Sequence, residues 1–169
     1  MSEVRNWRWG EFIGLLGVIA SLVFVGLEVR ESSRATRAAT DAEIASQFVA
    51  LNNAMFSSPE LMEAFDAASE AGHPSAGTFS TQMMILAFFR SLFHVWSNTH
   101  RQHLNGSVNP LLFDAVVQEL SAYSAREDPE ATERINQARR NFAWAWESER
   151  FIYNPRFQTF VDSIVASLR

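Results

Sequence analysis

The chain has 169 residues, 47% hydrophobic and 12% aromatic, with 20% charged and a formal net charge of −5 at pH 7. That suits one domain plus an appendage, with enough apolar side chains to fill a core. Its 14 Phe and 5 Trp exclude disorder, its 7 Gly and 5 Pro exclude a collagen-like or linker-rich chain, and its lack of Cys excludes disulfides, thiolate nucleophiles and Cys-based metal sites.

From Phe12 to Leu27 every residue is apolar or small, a run of 16, and Val29 extends it past Glu28. A spanning helix needs about 20 residues, with about 17 as a working minimum. Trp7 and Trp9 precede the run, at the depth where indoles prefer lipid headgroups, and Arg5, Arg8, Arg30, Arg34 and Arg37 flank it. A cleaved signal peptide fits poorly, because the run leads into Glu28-Val29-Arg30-Glu31 with no small-residue cleavage site. A buried helix of a soluble core would carry more polar residues than this. The expectation is a single membrane-spanning helix. The arginines beyond the run place the C-terminal part in the cytoplasm of a bacterial inner membrane by the positive-inside rule.

At heptad spacing the same segment carries a line of mostly small residues: Gly10, Gly14, Gly17, Ser21, Phe24, Glu28, Glu31, Ala35, Ala38, Ala42, Ala45 and Val49. No Pro or Gly occurs between Leu27 and Pro59, so one helix is expected from about Trp9 to about Met55, ~70 Å long. Small residues let helix backbones approach closely in lipid, and a 3.5-residue repeat implies continued contact in water. The stripe therefore predicts self-association. On it, Glu28 and Glu31 either form acidic rings at the mouth of a pore or are ordinary interfacial carboxylates paired with Ser32, Arg30 or Arg34. A second line, Ile44, Phe48, Leu51 and Met55, is offset from the stripe and predicts packing against the rest of the chain.

The remainder reads as helical. Ser58-Pro59, Asn109-Pro110, Asp128-Pro129 and Asn154-Pro155 each pair a capping residue with Pro at the first helical position. A short helix ends before Gly72. A long one runs from about Phe79, capped by Thr78 or Ser80, to Leu104, stopped by Asn105-Gly106. Three more run from Pro110 to about Ala125, from Pro129 to about Arg150, and from Pro155 onward. No stretch alternates with period two. The fold class expected is all-α: a long N-terminal helix, membrane-spanning in its first half, followed by a helical bundle. The divisions are residues 1–29 with the span, 30–57 as a helical extension, and 58–169 as the bundle.

No phosphate-binding Gly loop, nucleophile elbow, HExxH or EF-hand pattern occurs, so no cofactor and no metal are expected. The richest polar face is Arg90, His94, Ser97 and Arg101, with Asn98, His100 and His103 nearby. His with Arg on one helical face suits RNA cleavage, His94 as acid or base and Arg90 on the phosphorane; the plain alternative is a polar face of a bundle. Phe142, Trp144, Trp146, Phe151, Tyr153, Phe157 and Phe160 read as core and interface, with Glu147, Glu149 and Arg150 as a solvated or salt-bridged rim.

The apolar run followed by Gly26-Leu27-Glu28-Val29-Arg30-Glu31-Ser32-Ser33-Arg34-Ala35-Thr36-Arg37 resembles a family of small bacterial single-span membrane proteins. Phe89-Arg90 with His94, and Trp144-Ala145-Trp146 through Asn154-Pro155-Arg156-Phe157, look like the same family. The resemblance implies a membrane helix joined to a cytoplasmic helical domain, and no activity. More distantly, the chain is similar to the pore-forming membrane accessory proteins of type VI CRISPR systems. Those pair an assembling span with a degenerate ribonuclease-like fold whose Arg-x4–6-His spacing is absent here. Together these readings predict a non-enzymatic homo-oligomeric pore or membrane scaffold, its partners the lipid bilayer and further copies of itself, with nucleic acid not expected. The alternatives are an RNA-cleaving membrane-anchored effector using Arg90 and His94, and a soluble helical oligomeric interaction module.

Overall fold

A computed structural model describes residues 3–168, with side chains from Gly14 onward. Among the described residues there are six α-helices and no strand: α1 (Glu3–Ser57), α2 (Pro59–Glu70), α3 (Phe79–Leu104), α4 (Pro110–Ser124), α5 (Glu133–Glu149) and α6 (Pro155–Ser167). The chain divides into two compact units, one up to Ala39 and one from Thr40, a boundary inside the 30–57 stretch.

The first unit is the N-terminal part of α1 alone. Its side chains from Gly14 to Ala39 are exposed, including the large apolar ones from Leu15 to Val29. A helix apolar on every side satisfies its own backbone but buries nothing. Among the described residues no helix is long and apolar enough to cross a membrane. The apolar run of the sequence starts at Phe12 and Ile13, whose side chains lie outside the described ones.

The second unit is a helical bundle arranged around α3, which packs with α2, α4, α5 and α6. The 3.6-residue period places Ile85, Phe89, Leu92, Phe93 and Trp96 of α3 inside, against Val116 and Leu120 of α4, Phe142 and Trp146 of α5, and Phe157 and Val161 of α6. Phe93 is fully buried, with ring centroids 5.8 Å from Phe142, 5.3 Å from Trp146 and 6.0 Å from Tyr153, all edge-on, the arrangement aromatic quadrupoles favour. Two buried indoles keep polar partners: Trp96 Nε1 donates to Glu119 Oε2 at 2.9 Å and Trp146 Nε1 to Asp162 Oδ1 at 3.0 Å. The last turns of α1 belong to this unit. Ile44 is fully buried, Phe48, Leu51 and Met55 pack on the core, and Asp41 Oδ1 accepts from the Asn109 backbone at 2.9 Å. The second apolar line thus packs as its offset implied.

Most helix starts follow their cap signals. Ser58, Thr78, Asn109 and Asn154 each accept from a backbone N–H of the first turn. Gly106, with φ of 67°, closes α3 in the left-handed conformation that stops a helix. Asp128-Pro129 is the exception, since α5 begins at Glu133 after Thr132. Asp128 Oδ1 accepts from Glu130 N, and its carbonyl accepts from Ala131 N and from Asn136 Nδ2. Asn136 Oδ1 also accepts from Asp128 N at 2.9 Å. The buried Asn136 amide clamps both backbone groups of Asp128, so Pro129 enters a turn, not a helix.

Candidate functional site

Among the described residues of the first unit, no element covers the surface of α1. Ten large apolar side chains there, Leu15, Leu16, Val18, Ile19, Leu22, Val23, Phe24, Val25, Leu27 and Val29, are 48–67% exposed. At about 1 kcal/mol for each partly buried aliphatic or aromatic side chain, leaving them in water forfeits on the order of 10 kcal/mol. The sequence stripe lies on this surface: Gly14, Gly17, Ser21, Phe24, Glu28, Glu31, Ala35 and Ala38 are all exposed. In the second unit Ala42 and Ala45 are exposed as well, whereas Ile44 faces inward. Gly10, Trp7 and Trp9 have side chains outside the described ones. Arg30 and Arg34 are exposed, and among the described residues neither forms an ion pair with Glu28 or Glu31.

A Cβ added at Gly14, Gly17 or Gly26 would meet no described atom within 4 Å beyond the neighbouring backbone of its own helix. Each Gly inside a helix costs about 1 kcal/mol relative to Ala. Among the described residues no packing contact at these three positions requires that cost.

The polar face of α3 is organised by partners that its own helix does not reveal. Arg90 makes a two-pronged ion pair with Glu149 at the end of α5: Nε donates to Oε2 at 2.7 Å and Nη2 to Oε1 at 2.5 Å. Of the two states expected for it, solvated or salt-bridged, Glu149 takes the second and is buried, while the Arg90 side chain is 52% exposed. The hydrogen bond to Glu149 raises the Arg90 pKa further above its already high value. Tyr153 Oη donates to the Arg90 carbonyl at 3.2 Å, and burial drives the phenol pKa far upward, so it stays protonated. His94 is exposed, its ring 5.3 Å from that of Tyr153. Arg90 and His94 therefore do share a face, but the guanidinium fork is already filled by a carboxylate.

Farther along α3 the other two imidazoles are packing groups. His100 is buried and stacks on Phe160 at 4.5 Å, and His103 stacks on Phe113 at 3.7 Å. Burial, and secondarily the charge of His103, lowers the His100 pKa. Arg101 donates to Asn98 Oδ1 at 2.9 Å. No group of three or more His, Asp or Glu that could hold a metal occurs among the described residues.

Sequence reasoning missed Glu149 as the partner of Arg90, since the two lie 59 positions apart on different helices. It also missed Glu119, half-buried and bound to Trp96, whose carboxyl is pushed up by burial and drawn partly back by the indole N–H. No local pattern marks either residue.

Compared with known proteins, the chain matches no family model, no curated protein and no solved structure.

Proposed function

We propose that the protein is a homo-oligomeric inner-membrane pore or scaffold, with the first half of α1 in lipid and the bundle in the cytoplasm. The observation that carries this reading is the apolar surface of α1 from Leu15 to Val29, exposed on all sides within the chain. Lipid is a covering that needs no face, because hydrocarbon accepts apolar side chains around the whole helix. The glycines add to this. Gly14, Gly17 and Gly26 meet no packing partner among the described residues, and small residues are what allow spanning helices to touch closely. Glu28 and Glu31, on the stripe and free of ion pairs with Arg among the described residues, suit a ring of carboxylates at a wet mouth. The two-pronged Arg90–Glu149 pair gives the RNA-cleavage alternative no added support, because that guanidinium is already committed to a carboxylate.

The test is Gly17→Leu against Gly26→Leu. The two positions are nine residues apart, about 180° around the helix. Neither added side chain starts against an atom of the same chain. Gly17→Leu is expected to dissociate or distort the assembly, and Gly26→Leu to leave its particle mass unchanged. Equal effects from both would remove the stripe from the account.

A further inference from the structure

The bundle also holds an open cavity of about 370 Å³ lined chiefly by the end of α4, the α4–α5 connection and α5, with His73 and Val165 of α6 completing its wall. Tyr123, Phe142, Trp144 and Trp146 supply aromatic lining, and Arg126, Arg139 and Arg140 supply cations. Against those three positive charges stand two carboxylates, Glu127 and Glu147, so the lining carries one net positive charge in a chain of net charge −5.

The three guanidiniums are not equivalent. Arg140 is occupied by Glu127, Glu133 and Gln137. Glu147 is weakly engaged, 3.8 Å from Arg150. Among the described residues Arg139 forms no ion pair with a carboxylate: its Nη1 donates to the Arg126 carbonyl at 2.7 Å and to Asn136 Oδ1 at 3.3 Å. Its Nε is buried with no hydrogen-bond partner, one of two such side-chain atoms among the described residues. The exposed Arg126 beside it forms no ion pair among the described residues.

Two guanidiniums on one cavity wall without a carboxylate between them have a carboxylate or phosphate oxygen as their natural complement. The cavity volume falls within the range of small-molecule sites, and such sites combine apolar walls with a few converging polar groups. We propose that this cavity binds a small ring-bearing organic anion, its carboxylate or phosphate taken by Arg126 and Arg139 and its ring by the aromatic lining around Trp144. An anion there supplies the partner that neither Arg126 nor Arg139 finds in a carboxylate among the described residues, and a ring shares the aromatic lining that a bare ion leaves unused. The site lies wholly within the bundle and does not depend on the membrane reading.

Isothermal titration calorimetry on the full chain tests it with two probes, indole-3-acetate and adenosine 5′-monophosphate. The first carries a carboxylate, the second a phosphate. Indole, adenosine and inorganic phosphate are titrated in parallel. The expected result is saturable binding of at least one ring-bearing anion, with its neutral ring and free phosphate weaker by about tenfold or more. Arg126→Glu, at an exposed side chain, should weaken that binding by about tenfold or more while leaving the melting temperature unchanged. Arg139→Lys, which keeps the charge and loses the planar guanidinium fork, should weaken it as well. No saturable binding of either anion, or undiminished binding by Arg126→Glu, would overturn the proposal. Phosphate binding as tightly as the nucleotide would overturn the ring-bearing class of ligand.

Discussion

Cutting the Arg90–Glu149 pair from its two ends should have unequal consequences. Arg90→Ala leaves the Glu149 carboxylate, 6% exposed, without its counter-charge in the bundle. Stranding a fully buried charge costs about 3–5 kcal/mol. The Arg90 side chain is 52% exposed, so water already screens one half of the pair and reaches part of the vacated site. About 2 kcal/mol is therefore the expected loss. Glu149→Ala leaves an Arg that solvent can hydrate, and about 1 kcal/mol is expected. The double variant should cost less than the sum of the two, by a coupling energy of about 1 kcal/mol, because the second change no longer breaks a pair. Urea unfolding of the four proteins, followed by far-UV circular dichroism, measures all three quantities. A Glu149→Ala loss equal to or larger than that of Arg90→Ala would refute the burial argument. Strict additivity would refute the pair itself.

Three further outcomes follow from the packing. The pKa of His100 is lowered by burial, so the folded state binds fewer protons there than the unfolded state. Its contribution to stability is present above the ordinary pKa of 6.5 and is lost as pH falls below it, levelling once the folded value is passed. Thermal melts at pH 7.5 and pH 5 should show this slope in the wild type and a flatter one in His100→Phe; identical slopes would contradict it. Phe93→Ala, at a fully buried ring meeting aromatics of α3 and α5, should cost about 3–5 kcal/mol. Phe151→Ala, at a ring 73% exposed, should stay within about 0.5 kcal/mol, and a comparable loss at both positions would break the core assignment.

Much of the bundle was legible because its signals are local. Asn109-Pro110 and Asn154-Pro155 state a cap and a first helical residue side by side, and Asn105-Gly106 states a stop. Ile44, Phe48, Leu51 and Met55 recur on one face, and that face is the one that packs. The misread start at Asp128-Pro129 fails for a non-local reason: Asn136, eight residues on, competes for the Asp128 backbone. The same limit explains the Arg90 face. Its spacing on α3 was correct, yet its chemistry is decided by Glu149 from α5. The aromatic and arginine cavity was invisible for similar reasons. Tyr123, Arg126, Arg139 and Trp144 come from α4, the following loop and α5, and no sequence window contains their arrangement. The stripe on α1 was fully legible as a pattern, since helical periodicity alone defines it.

The most direct test of the membrane-assembly account is to express the full chain, separate membranes from cytosol, and weigh the detergent-solubilised particle. The account predicts recovery in the membrane fraction and a discrete particle of several copies of the 19.1 kDa chain. A chain that remains in the cytosolic fraction without detergent, or a detergent-bound monomer, would contradict it.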